Sequence, residues 1–288
     1  IFGQGLVGTP DDFGNQGALP THPELLDWLA WDFMESGWDV KHLLKTIVMS
    51  ATFRQDSRTR DDLPIEDPSN ELLARGPRYR LPAEMIRDNA LAASGLLNRK
   101  VGGPSVKPYQ PKGLWIEKGS FSHKLLNYKE DSGDDLYRRG MYTFIRRTSP
   151  PPSMSAFDAP DRSVCTVQRE KTNTPLQALV LLNDPQFVEA ARVLAERVMT
   201  SGFAEREQQI MQAFRLSTGR KPTAKEVSVL QEQYENEAER FAAAPEEAKQ
   251  LLSVGEAPLK TELAPAETAA MAVVCNTILN VDDAYYLR

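Results

Sequence analysis

Apolar residues recur at helical spacing along most of the chain. Leu25, Leu26, Trp28, Leu29, Phe33 and Met34 are interleaved with Asp27, Asp32 and Glu35, the period of an amphipathic helix ending near Ser36-Gly37. Thr21-His22-Pro23-Glu24 precedes it, with a capping threonine, a proline for the first turn and a glutamate at capping-box spacing. Val40, Leu43, Leu44, Ile47 and Val48 mark a second helix from Asp39, and the short connection predicts an antiparallel pair. The first twenty residues read as loop. Residues 54–81, broken by Pro64, Pro68 and Pro77, read as a connection with one turn near Leu72-Leu73.

Pro82-Ala83-Glu84-Met85 opens the next helix, expected to bury Met85, Ile86, Ala90, Leu91, Leu96 and Leu97 before Gly102-Gly103-Pro104 closes it. From 101 to 133 the chain reads as loop, because Pro104, Pro108 and Pro111 block regular structure. Residues 136–145, with Tyr137, Tyr142, Thr143 and Phe144, suit a strand slightly better than a helix. Helices resume at Thr174-Pro175. Asn183-Asp184-Pro185 ends that helix and caps one reaching about Thr200. Further helices are expected over about 205–216, from the capping box Thr223-Ala224-Lys225-Glu226 to about Ala243, and over about 266–279. The fold class that follows is mainly α: a multi-helix globular domain with long Pro-rich loops and a minor β element near 136–145. Ser149-Pro150-Pro151-Pro152-Ser153 is the stiffest linker. It suggests a helical part with a Pro-rich segment at 1–148 and a C-terminal helical part at 149–288, with one continuous domain as the alternative.

Composition narrows the class. Across 288 residues, 41% are apolar and 26% charged, which excludes wholesale disorder, and no apolar run is long enough for a membrane helix. The net charge of −6 arises in the second half, since residues 1–150 are balanced; no concentrated basic face points to nucleic acid. Two local basic clusters occur, Arg75, Arg78 and Arg80, and Arg138, Arg139, Arg146 and Arg147. They read as partners of nearby carboxylates, or more sharply as an anion or sugar-carboxylate cradle. Cys165 and Cys275 admit one disulfide or two buried thiols, with burial favoured. The sequence opens at Ile1 without a methionine and reads as a fragment or processed product, any targeting segment lying upstream.

Catalytic signatures are weak. His22, His42 and His123 are far apart in sequence, without HExxH, and no CxxC or CxxCH occurs, so no metal site and no covalently attached haem are expected. No GxSxG turn is present. Gly3-Gln4-Gly5 leads into a Pro-containing loop rather than a helix, and Gly102-Gly103-Pro104-Ser105 follows no clear strand. Two polar clusters remain. Glu84 and Asp88 share a helix face with Arg87 as their internal partner. Asp158, Asp161, Arg162, Arg169, Asn173 and Gln177 gather on a loop entering a helix, where binding and catalysis concentrate. Asp158 and Asp161, or Glu84 and Asp88, are the candidate carboxylates for acid–base hydrolysis of a glycoside; a loop satisfied within itself is the competing reading. Tyr109, Trp115, Phe121 and Tyr128 fall in the Pro-rich segment and are candidate exposed sugar platforms, whereas Trp28, Trp31 and Trp38 read as core or packing residues.

Longer runs carry a resemblance. They are Gly5-Leu6-Val7, Thr9-Pro10-Asp11-Asp12-Phe13-Gly14, Thr21 to Leu29, Ser36-Gly37-Trp38-Asp39, Asn70 to Arg78, Arg87-Asp88-Asn89-Ala90-Leu91, Gly102 to Pro111, Arg147 to Met154 and Thr172 to Leu179. Together they resemble the planctomycete-type C-terminal domain of domain-of-unknown-function family 1553, over nearly the whole chain. The resemblance implies a large secreted or envelope protein of Planctomycetes or related bacteria, in which the domain accompanies a cytochrome c-like module and sometimes carbohydrate-binding domains. It implies a family domain beginning upstream of Ile1, and supplies neither catalytic residues nor a cofactor to carry over. The expected function is an extracytoplasmic binding or scaffold module engaging polysaccharide or a partner domain, with Arg162, Arg169, Asn173, Gln177, Tyr109 and Trp115 as ligand-binding candidates. A polysaccharide hydrolase or lyase, and a docking partner of the cytochrome-like module, are the alternatives.

Overall fold

The computed structural model describes residues 1–58, 67–117 and 128–287. Among these the chain forms twelve α-helices and one two-stranded sheet, a mainly α architecture. Its residues group into two compact units, 1–80 with 286–288, and 81–285. The change of unit thus lies at Arg80-Leu81, and the Pro-rich run at 149–153 sits inside the second unit.

In the first unit, α1 (Pro23–Glu35) and α2 (Val40–Met49) pack against each other. The turn between them uses left-handed Gly37 and Trp38, and the Trp38 ring meets Phe33 edge-on at 5.3 Å. Asp39 caps α2 by accepting from the backbone N–H groups of Lys41 and His42. The start of α1 differs from expectation: His22 occupies the cap position without a side-chain cap bond. Thr21 is drawn away from that role, its hydroxyl bonding the Leu6 carbonyl and His22 Nδ1. Neither helix buries a residue, so Trp28, Trp31 and Trp38 are exposed rather than core. A helix pair has one contact seam, which is too narrow to cover two apolar stripes. β1 (Tyr79–Arg80) pairs antiparallel with β2 (Tyr286–Leu287), placing Tyr79 opposite Leu287.

The second unit comprises α3 (Ala83–Ser94), α4 (Leu114–Glu117), α5 (Pro152–Ala156), α6 (Pro175–Asn183), α7 (Pro185–Met199), α8 (Arg206–Thr218), α9 (Ala224–Ala243), α10 (Pro245–Leu252), α11 (Pro265–Leu279) and α12 (Asp282–Tyr285). The sequence of α11 explains its central place. Ala269, Ala270, Met271, Ala272, Val274, Cys275, Ile278 and Leu279 are apolar on nearly every side, and all are buried against neighbours that include α7, α8, α9 and α10. α7 offers Phe187, Ala190, Ala191, Leu194, Ala195 and Val198 to this core, each large side chain contributing about 1.5–3 kcal/mol by burial. Asp184 caps α7 and Thr223 with Glu226 forms the expected capping box of α9, while Gly95 and Gly219 end α3 and α8 in left-handed turns.

Several local expectations are corrected. α10 is an additional helix; its signal was Pro245-Glu246-Glu247, a proline and two acids in a first turn. Met85 is exposed, and Leu96 and Leu97 are only half-buried. Within 133–145 the chain forms two 3-10 turns, Gly133–Tyr137 and Gly140–Tyr142, with single bridges Asn98–Arg138 and Val106–Thr143 in place of a strand. Close packing against α3 takes precedence over a ladder there: a side chain at Gly140 would come within 3.0 Å of Glu84. The thiols lie apart in kind, Cys275 buried and Cys165 exposed, so only one of the two is the buried thiol expected. Among the described residues no helix is long and apolar enough to cross a membrane.

Candidate functional site

The two aspartates of the loop before α6 are held by backbone N–H groups and a hydroxyl of the same loop. Asp158, in a left-handed turn, accepts from the backbone N–H and the hydroxyl of Thr172. Asp161 accepts from Ser163 N–H, an Asx turn. The Gln177 amide nitrogen is buried and donates to the carbonyls of Ala156 and Thr172. Arg162 and Asn173 are exposed, and Arg162 also takes a positive φ. Arg169 leaves the loop and binds both oxygens of Glu84 at 2.7 and 3.1 Å.

That last pair revises the reading of α3. Glu84 and Asp88 do not share Arg87. Arg87 is buried and donates to Gln186 Oε1 at 2.5 Å and to the carbonyls of Arg138 and Leu136 at 2.5 and 2.6 Å, lying 3.9 Å from Asp88. Asp88 accepts instead from Gly140 N–H at 2.6 Å. Burial pulls Glu84 upward, but the Arg169 hydrogen bond, the Glu84 backbone N–H and the charges of Arg169 and Arg162 together hold the carboxyl below its ordinary value. Burial prevails at Asp88, which is raised despite its bond from Gly140. The two carboxylates are therefore tuned apart, yet each is committed to a contact that shapes the fold.

The Pro-rich loop is built differently. Prolines leave its carbonyls without ladder partners, and buried Arg138 gathers them: Nη1 donates to the Pro104 carbonyl at 2.8 Å and Nη2 to that of Gly102. The Arg138 guanidinium also lies 4.0 Å from the Tyr142 ring. Arg75 likewise donates to the carbonyls of Asp67 and Pro68. For these two residues the expected carboxylate partner is replaced by backbone. Val106 clips the loop down, donating to the Tyr142 carbonyl and accepting from Phe144 N–H. Lys107 N–H donates to Asp131, and Gln110 N–H to Glu130 at 3.2 Å.

These clips leave a cavity of about 100 Å³ lined by residues that include Gln110, Lys112, Trp115, Ile116, Tyr128 and Glu130. Trp115 is not the exposed platform expected; at 4% exposure it forms a wall. Tyr128 meets its ring edge-on at 5.0 Å, and Arg146 lies over it at 5.0 Å. The Tyr128 hydroxyl donates to the Pro108 carbonyl, so this residue offers the cavity its ring. Tyr109 also departs from the platform reading: it is half-buried beside Leu91, Leu136 and Tyr137, its hydroxyl accepts from Glu256 N–H, and burial first, then Glu189, pushes it up to about 12. Phe121 and His123 lie outside the described residues.

Gln110 is the residue that the sequence reading passed over. Its side chain is 8% exposed, and neither amide atom has a hydrogen-bond partner among the described residues; the same holds for Trp115 Nε1. The available signal was a lone glutamine between two prolines in an aromatic-bearing loop, which no spacing rule singles out. The Gln110 amide and Trp115 Nε1 lie buried in the wall, and the cavity is lined by aromatic rings together with one cation, Lys112, and one carboxylate, Glu130. Among the described residues no group of three or more His, Cys, Asp or Glu side chains is placed to hold a metal ion. A second cavity, lined by residues including Leu182, Val188, Ala191, Leu251 and Ala272, is mostly apolar.

Comparison with known proteins gives one match. A family model, PSD1, described as a protein of unknown function (DUF1553), covers residues 1–234. No curated protein and no solved structure matches the chain.

Proposed function

The chain belongs to the DUF1553 family, and from that premise we propose that it is a binding module that engages polysaccharide through the Pro-rich loop of its second unit. One observation carries the reading: the cavity between Trp115 and Tyr128 combines aromatic walls with the polar side chains of Gln110, Lys112 and Glu130 among its lining residues. Sugars are bound in this way, apolar ring faces on aromatic side chains and hydroxyls on fixed polar groups. The hydrolase or lyase reading draws no comparable support, because Glu84, Asp88, Asp158 and Asp161 are each bonded within the fold. We further propose that the module works outside the cytoplasm within a multidomain protein, with a cytochrome c-like module as a companion, as the family resemblance implies. The test is a glycan array probed with the chain, followed by titration of soluble oligosaccharides monitored by tryptophan fluorescence. Saturable binding to at least one glycan, weakened by Trp115→Ala, is expected. An array with no bound glycan would remove the proposal.

A further inference from the structure

We propose that α1 and α2 form a self-association surface, each helix of one copy docking on the other helix of a second copy about a two-fold axis. The inference goes beyond the saccharide reading and does not depend on it. Leu26, Ala30 and Met34 recur every fourth residue along α1, and Val40, Leu44 and Val48 along α2, so each set forms one row on its helix. All six are exposed, the five larger ones between 37% and 57%. Each row is flanked by charge of one sign: Asp27 follows Leu26, whereas Lys41 and Lys45 follow Val40 and Leu44. As a whole, α1 carries Glu24, Asp27, Asp32 and Glu35 with no base, and α2 carries Lys41, His42 and Lys45 with no acid. Asp32 is bonded to His42 within the copy at 3.0 Å. Among the described residues no ion pair engages Glu24, Asp27, Lys41 or Lys45.

The occupant follows from that separation of charge. A surface acidic on one helix and basic on the other is complementary to itself when α1 meets α2 of the second copy and α2 meets its α1, the reciprocity of an isologous contact. Docking α1 on α1 would set acids against acids. A partner of one charge sign would be attracted by one helix and repelled by the other, and an anionic lipid surface would be repelled by α1. Packing suits the same pairing. Rows of four-residue spacing on two helices interdigitate in the commonest helix crossing, and Ala30 leaves room in the α1 row for Leu44 of the second copy. Helices of 13 and 10 residues are about 20 and 15 Å long and about 10 Å across, a footprint of about 350 Å² per copy. That is under half the ~800 Å² per partner of a standard interface, so the dimer is weak and reversible.

The experiment is sedimentation equilibrium of the whole chain from about 5 to about 500 μM, the range a weak interface requires. A reversible monomer–dimer equilibrium with Kd on the order of 100 μM is expected, weakening as salt is raised. Leu44→Glu and Val40→Glu should each weaken it roughly tenfold or more. Both should leave the helical circular dichroism and the unfolding temperature unchanged, because these side chains are exposed. Asp27→Lys and Lys45→Asp should each weaken association roughly fivefold. The two reversals combined in one chain should restore it, an outcome that damage to the fold would not produce. A monomer at every concentration would overturn the proposal, as would an assembly larger than a dimer. A dimer untouched by Leu44→Glu and Val40→Glu would have its interface elsewhere and would overturn it too. Charge reversals that weaken nothing singly, or restore nothing together, would overturn the docking of α1 on α2 of the second copy.

Discussion

Arg169 grips Glu84 with two nitrogens, Nη1 on Oε2 at 2.7 Å and Nη2 on Oε1 at 3.1 Å, joining the loop before α6 to the first turn of α3. The contact spans 85 residues of sequence. It is the clearest case in this chain of an ion pair that closes a loop rather than serving a reaction.

Removing Arg169 tests that role. Arg169→Ala should cost about 1 kcal/mol, the modest figure reflecting an arginine side chain that is 38% exposed. It should also raise proteolytic cleavage and hydrogen exchange within 159–174. Because Glu84 is held below its ordinary value, its contribution is present above the unfolded-state pKa and lost as pH falls through the lowered one. The urea midpoint of the variant should therefore fall less on acidification than that of the parent chain. Identical midpoints at every pH would mean that the pair contributes nothing.

A second pH window comes from the capping box of α9. The Arg220 hydrogen bond, opposed by burial and aided by Thr223, lowers Glu226 to about 2 from 4.5. Its stabilisation is thus complete above pH 4.5 and disappears as pH drops toward about 2. Glu226→Gln should be less stable than the parent at neutral pH, with the gap closing across that window. A gap that is constant with pH would contradict the assignment.

Gly255 lies against a buried carboxylate. A β-carbon there would stand 2.1 Å from Glu189 Cδ, and the backbone φ is +89°. Glu189 is held by the Tyr137 hydroxyl at 2.9 Å and Ala257 N–H at 2.7 Å, so it has little room to move. Gly255→Ala should cost about 2 kcal/mol or more in thermal unfolding. Gly202→Ala is the control, with φ +88° but open space around it, and should cost only the backbone part. Equal losses at the two positions would show that the contact with Glu189 is unimportant.

The thiols offer a simple check of the core. Cys275 is buried, and burial raises its thiol well above the ordinary value, whereas Cys165 is exposed. A thiol reagent should modify Cys165 in the native chain and both cysteines after denaturation. Prompt native labelling of Cys275 would be incompatible with the packing of α11.

Helix starts and stops were largely legible in the residues. The Thr223-Glu226 box, the Asp184-Pro185 boundary and the glycines at 95 and 219 act locally, through bonds within a turn or a φ that glycine adopts easily. Thr21 misled because its hydroxyl met a carbonyl fifteen residues earlier, at Leu6, a competitor that no local pattern contains. Trp28, Trp31 and Trp38 misled for the converse reason: an apolar stripe shows that a face can be buried, but carries no information on whether a neighbour is there to bury it.

The candidate site divides along the same line. Residue order alone established a mainly α chain, the family to which it belongs, and a Pro-rich segment bearing aromatic residues, because propensity, capping and motif content are properties of short stretches. Folding alone chose Arg169 over Arg87 as the partner of Glu84, and turned Trp115 inward beside Gln110. Those outcomes depend on which distant surfaces meet and which polar atoms are left over once they have met, and that balance is settled across the whole fold rather than within any one stretch of it.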